Sequence, residues 1–477
     1  MSCSCVDRDL VRPLIFLNIV SLNLIKLSLD QDLASFENTI LSMEKAGSLL
    51  DRVSTVFYAL TSAHTNDEME KVRSEMAPKL SAHSDKILLN DALFQRVNTL
   101  YDNRMDLGLD NESVRLIEKY HTSFIRAGAK LNAEQKERLK AINSEIAVLQ
   151  TNFSQNVLKE VNALAIVVDS KDELEGLSES AIESASNEAK SRGMEGKYVI
   201  ALKNTSGQPS LSSLKNRELR ERIHTTSLSR GSRGGEFDNR EILTNVLRLR
   251  AEKAKLLGYE NHAAYTLEVQ TAQTPQAVNE RLRSLAPKSL ANAKREASDL
   301  QEMINASGES FSLSSWDWDY YTEKVRAERY SFDASQLKPY FEMDNVLQNG
   351  VFFAANQLFG LSFTERFDLP TYQEDVRVFE VFEEDGSTLA LFIFDGYARS
   401  SKRGGAWMNS YVSQSKLSGN LPVVANHQNV AKPPKGEPTL MSFDEVITMF
   451  HEFGHALHGM FSNVNYPYFS GTSVPRD

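Results

Sequence analysis

The sequence predicts a mostly α protein with one small antiparallel sheet, and three observations predict it. Between about Leu33 and Leu285 apolar residues recur three and four apart, the period of amphipathic helices. Further on, two β-rich runs, Val376 to Phe382 and Thr388 to Phe394, flank the turn Glu383-Glu384-Asp385-Gly386 and read as a hairpin. A helix with its own start signal then begins at Ser442.

Taken in order, the first segment is 1–30. Leu14 to Leu29 is apolar but broken by Asn18, Ser21, Asn23, Lys26 and Ser28. A bilayer span needs about 20 mostly apolar residues, and a signal peptide needs a basic start and a small-residue cleavage site. The segment meets neither description and reads as a short buried helix or an atypical start. The strongest helical stripe follows at Leu139, Ile142, Ile146, Leu149, Phe153 and Val157, and it is packing surface on one long helix. Lys171 to Lys197 reads as a short polar helix with flanking loops. Arg230 to Gly235 is a loop, since each of its three glycines costs a helix about 1 kcal/mol. No strand precedes that loop and no Gly-Lys-Ser/Thr follows, so it does not read as a phosphate cradle. After the hairpin, Gly405 to Val412 and Leu421 to Ala425 are further candidate strands, which places the sheet within 366–425.

Composition narrows the function classes. The 477 residues are 41% hydrophobic and 25% charged, enough for a sizeable core. A net charge of -11 argues against nucleic acid and anionic membrane surfaces as partners. The two cysteines, Cys3 and Cys5, cannot staple the body, which fits a reducing compartment and a cytoplasmic location. As a Cys-x-Cys pair they lack two further metal ligands nearby.

The chemistry lies in the last helix, 442–461. Ser442-Phe443-Asp444-Glu445 has the form of a capping box, with two acidic residues at the positive end of the helix dipole. Val446, Ile447, Phe450, Phe453, Gly454 and Leu457 then suggest a broad apolar face. His451-Glu452-Phe453-Gly454-His455 places two imidazoles four residues apart, about 6 Å along the axis on one face. Both nitrogens can then reach one zinc ion at about 2.1 Å each. Glu452 points to the side of the pair, where it can take a proton from a water that the ion activates for attack on a peptide carbonyl. The competing reading is a pair of helix histidines satisfied in a core. Chance places such a pentapeptide in roughly one chain in a hundred of this composition, which favours the zinc reading. His458 continues the stripe but lies about 10 Å along the axis from His451, too far to share the ion, and reads as a neighbour or core residue. A metzincin would need glycine at 458 and histidine at 461, where this chain has His458 and Phe461. A catalytic zinc site calls for a third protein ligand, and after Glu452 the one acidic residue is Asp477.

From about Phe36 onward the chain resembles the thimet oligopeptidase/dipeptidyl carboxypeptidase family of zinc peptidases. The resemblance rests on Phe36-Glu37-Asn38-Thr39-Ile40, Ala251 to Gly258, Trp316-Asp317-Trp318, Phe394 to Arg399, Gly405-Ala406-Trp407-Met408 and Phe450 to Gly459. The run Ser470 to Asp477 is similar to the dipeptidyl carboxypeptidase branch. The resemblance implies a two-lobed helical molecule, with a helical lobe over 31–240 and the first part of a catalytic lobe over 241–477. It implies a monomer acting on short peptides, release of C-terminal dipeptides, and a third zinc ligand, a glutamate about three residues past Asp477. On that reading the sequence is either part of a full-length active peptidase or an inactive or merely peptide-binding remnant, with Asp477 as a rival third ligand. The resemblance also implies that the segment from Arg403 through Gly404, Gly405 and Ala406 to Trp407 lies along bound substrate, two glycines letting a peptide backbone approach. An ordinary bulged edge strand is the plainer reading. Arg399, Lys402 and Arg403 form either a carboxylate-attracting cluster or a solvated basic rim.

Overall fold

The computed structural model describes residues 32–202, 208–331 and 334–476; Cys3, Cys5, the 1–30 segment and Asp477 fall outside them. The principal helices of the first half are α1 (Ser48–Ala63), α2 (Asp67–Leu88), α3 (Asp91–Asn103), α4 (Asn111–Ala127) and α5 (Ala133–Ala163). Asn66, Asn90, Asp110 and Asn132 cap α2 to α5, each accepting a first-turn backbone N–H that would otherwise lack a partner. Their apolar faces enclose a core of Phe36, Ile40, Leu93, Val97, Leu116 and Phe124, which Tyr466 joins from the far end of the sequence. The stripe on α5 is buried at Leu139 and Ile142, whereas Ile146, Leu149, Phe153 and Val157 are only half-buried.

The short polar helix α6 (Glu179–Ser191) has turns and loops on both sides within 171–197, as expected, and two short strands lie just beyond them. β1 (Ala165–Val168) and β2 (Tyr198–Ala201) pair antiparallel over a core of Ile166, Val168, Leu174 and Ile182. Four residues each is too short for periodicity to separate them from helix-flanking turns. Next come α7 (Arg217–Leu228), α8 (Arg240–Leu256), α9 (Pro275–Ala306) and α10 (Trp318–Tyr330). The Trp316-Asp317-Trp318 run acquires a structural role here. Fully buried Asp317 accepts from Arg217 (2.9 Å) and Arg220 (2.8 Å), tying the start of α10 to α7. The first half of α9 leaves Leu282, Leu285 and Leu290 exposed, and only Leu300 and Ile304 near its end are buried.

The second sheet has the order β3-β4-β5-β7-β6, formed by β3 (Ser362–Glu365), β4 (Arg377–Phe382), β5 (Thr388–Tyr397), β6 (Trp407–Val412) and β7 (Val423–Val430). The expected hairpin is β4–β5. The sheet is mixed rather than wholly antiparallel, because β7 inserts parallel to β5 and antiparallel to β6. β6 therefore lies at the edge, and β7, flanked on both sides, is buried for most of its length. On one face lie α11 (Phe353–Phe359), the helical turns before it, and α12 (Phe443–Met460), around a core of Leu347, Phe352, Phe392, Val424, Met449 and Phe453.

Candidate active site

Helix α12 begins where the capping pattern predicts. Glu445 N donates to Ser442 Oγ (3.3 Å), and Ser442 N donates to Glu445 Oε2 (2.7 Å). Its buried stripe is Val446, Met449, Phe453, Ala456 and Met460, narrower than expected. Ile447 and Phe450 instead face outward with Phe443 and Phe461, as do His451, Gly454, His455 and His458. Exposed Phe353, Leu358 and Phe359 of α11 extend this apolar surface, with Phe359 edge-on to Phe461 at 5.1 Å.

Two devices seat α12 on the sheet. Buried Asn426 of β7 donates through Nδ2 to the Glu452 carbonyl (2.7 Å), and Gln428 Nε2 reaches the Glu445 carbonyl at 3.5 Å. Further along, Gly459 lets the helix backbone approach β6 and β7, since a Cβ there would lie 2.6 Å from Met408 Cε and 2.8 Å from Val424 Cγ1. Met408 can swing aside but the β-branched, fully buried Val424 cannot. Gly459→Ala should therefore cost about 1–3 kcal/mol by overpacking, more than the roughly 1 kcal/mol gained in helix propensity. A fall in thermal midpoint checks this; a rise would show that α12 lifts without penalty.

The seating brings His451 Nε2 and His455 Nε2 to 3.2 Å of one another, with the rings near-perpendicular. Two nitrogens each about 2.1 Å from one tetrahedral zinc lie about 3.4 Å apart, so the pair has the spacing of two ligands to a single ion. Between them Glu452 is buried. Burial pushes its carboxyl above the ordinary value, while the charges of His455, His451 and Arg403 pull it down. His458 lies on the exposed face and not in a core. Among the described residues no group of three His, Cys, Asp or Glu side chains is arranged to hold a metal.

The Gly404–Ala406 segment precedes the edge strand instead of belonging to it: the strand starts at Trp407. Gly405 takes φ +84, with nothing within 4 Å of a Cβ built there, and this left-handed turn leads the chain into the edge. Asn429 Nδ2 fixes the turn by donating to the carbonyls of Arg403 (2.9 Å) and Gly405 (2.6 Å).

Two of the three cations ahead of the turn are neither a rim nor available to a ligand. Fully buried Asp395 accepts from Arg399 (2.6 and 2.8 Å), Lys402 (2.9 Å), Tyr372 (2.6 Å) and His427 Nδ1 (3.2 Å). Lys402 Nζ also donates to the carbonyls of Asp395, Tyr397 and Gln428. Burial would raise the Asp395 carboxyl, but Arg399, His427, Lys402 and Tyr372 together hold it far below the usual carboxylate range. Trp407 stacks on His427 at 4.4 Å. The same loop is pinned to the end of α1. Thr65 N donates to Ser401 O (2.8 Å), Arg403 N to Ser62 O (2.9 Å), and Arg399 to the Ala63 carbonyl.

The sequence reading did not single out Asp395, Asn426 or His427. Their shared sequence signal is polarity inside β-rich runs, where a side chain at such a position must find partners within the fold.

Residues 210–477 match the model of Peptidase family M3. The chain is 44% identical over 442 residues to a dipeptidyl carboxypeptidase of Salmonella typhimurium, covering 93% of this chain and 65% of that protein. Against the dipeptidyl carboxypeptidase of Escherichia coli the identity is 43% over 451 residues, covering 94% and 66%. Oligopeptidase A of Escherichia coli is 32% identical over 451 residues, covering 93% and 66%. The chain thus spans just under two thirds of the length of these relatives.

Proposed function

Because the chain belongs to peptidase family M3, we propose that it carries the zinc-binding helix and substrate edge of a peptidase that releases dipeptides from the C-termini of short peptides. The observation that carries the reading is the His451–His455 pair, its two Nε2 atoms 3.2 Å apart beside buried Glu452. His451 and His455 would hold zinc, which when bound supplies Lewis-acid polarisation of the peptide carbonyl and acidifies a water. Glu452 is the general base. Its position between the ligands and its raised proton affinity suit it to accept a proton and pass it to the departing amine. Asn426 holds the Glu452 backbone, and Gly404, Gly405 and Ala406 form the turn that leads into β6, the edge along which an extended peptide would pair.

The dipeptidyl carboxypeptidases among the relatives favour the exopeptidase mode. Short peptides are the partners. A net charge of -11 speaks against nucleic acid, and among the described residues no helix is long and apolar enough to cross a membrane. The reading places the protein in the cytoplasm as a monomer.

A second reading follows from the ligand count. Two histidines without a third protein ligand give neither the affinity nor the fixed geometry of a catalytic zinc site. Residues 1–477 alone should therefore bind zinc weakly and hydrolyse no short peptide. Turnover by this polypeptide that Asp477→Ala abolishes would overturn the second reading. In a polypeptide that also supplies the third ligand, one zinc per molecule should bind and His455→Ala should lose it. Stoichiometric zinc in that variant, by metal analysis, would sink the first reading.

A further inference from the structure

Of the three cations ahead of the edge strand, Arg399 and Lys402 are committed to Asp395, but Arg403 is not. Its side chain is exposed, and its guanidinium makes no ion pair or hydrogen bond to any described residue. Its backbone is nonetheless fixed, the N–H on Ser62 O and the carbonyl on Asn429. The guanidinium lies over the Trp407 ring, 4.0 Å from its centroid, and that ring is itself stacked on buried His427. The left-handed turn at Gly405 folds Arg403 back to the first residue of β6.

We infer that Arg403 is the recognition residue for a carboxylate, namely the free C-terminal carboxylate of a peptide lying along β6. This rests on the peptide-hydrolase reading and deepens it. A guanidinium braced on an indole and bonded to no described residue keeps its donors free for bidentate pairing with a planar carboxylate. Partial burial and the neighbouring Arg73 charge both lower its pKa, while Glu452 raises it. A ligand carboxylate would relieve that crowding of cations. Direction agrees with the assignment. A peptide adding antiparallel to β6 runs its C-terminus toward the start of the strand, where Arg403 sits. Dipeptide release would then call for the scissile bond two extended residues, about 7 Å, from that carboxylate.

The test is binding to the 477-residue polypeptide of an acetylated tetrapeptide with a free C-terminus and of the same peptide as its C-terminal amide. The wild type should bind the acid about tenfold more tightly, the size of one charge-assisted contact. Arg403→Gln should bind both forms alike, and Arg403→Lys should keep part of the preference. Equal binding of acid and amide by the wild type would overturn the assignment, as would a preference surviving in Arg403→Gln. A variant that loses both forms in equal proportion would show a structural role instead. If neither peptide binds the wild type, the peptide-site reading fails along with it.

Discussion

Glu452→Gln, made in a polypeptide that supplies the third ligand, should keep its zinc and lose peptide hydrolysis by about 10²–10⁴-fold. Glutamine has the shape of glutamate, so the buried position beside the His pair is preserved. Asn426 still grips the backbone carbonyl at 452, and the capping box at Ser442 is remote from the change. His451 and His455 therefore keep their spacing. An amide cannot accept a proton, so the step assigned to Glu452 is removed while binding is retained. Metal analysis and a single-turnover assay on one blocked peptide separate the two. Near-wild-type turnover would show that another group is the base; lost zinc would show that Glu452 holds the site together.

Asp395→Ala should be the most destabilising substitution in the sheet. It leaves Arg399, Lys402 and His427 facing one another without their shared anion, and Lys402 has no route to solvent. Breaking a buried ion pair from one side costs about 3–5 kcal/mol, which corresponds to a fall of order 10 °C in the melting of a domain this size. Exposed Asp368, paired with half-buried Arg366, is the control, and Asp368→Ala should leave the midpoint unchanged. If the two variants melt alike, the Asp395 cluster is not what holds the loop.

What the sequence disclosed follows from how locally each feature is encoded. The capped helix at Ser442, the His-Glu-His spacing and the β4–β5 hairpin depend on residues within a few positions of one another, and all three are present in the fold. The parallel pairing of β7 with β5 depends on where a distant edge falls, which periodicity does not carry. Strand β7 runs on through Asn426, His427 and Gln428, polar residues that read as the end of a strand. They are tolerated because α12 and Asp395 supply their partners. Arg399 and Lys402 looked like a basic rim for a related reason: sequence gives their charge but not the carboxylate that claims them. Ile447 and Phe450 follow helix period yet stay exposed, since period assigns a face to a helix without saying what covers it.

The clamp between α1 and the loop before the edge strand also orders events in time. Thr65, His64 and Ser62 find their partners Ser401 and Arg403 across more than three hundred intervening residues, His64 and Ser401 being 337 apart. Contacts of such separation close slowly, because the loop entropy must be met before they form. At a synthesis rate of about 5–20 residues per second, roughly 15–70 s pass between the emergence of His64 and that of Ser401. Throughout that interval the end of α1 has no partner in the sheet, and the segment that positions Gly404 to Ala406 has yet to be made. The helical half of the molecule is therefore made well before the edge strand to which it is clamped, and a chaperone has its longest opportunity at that stage.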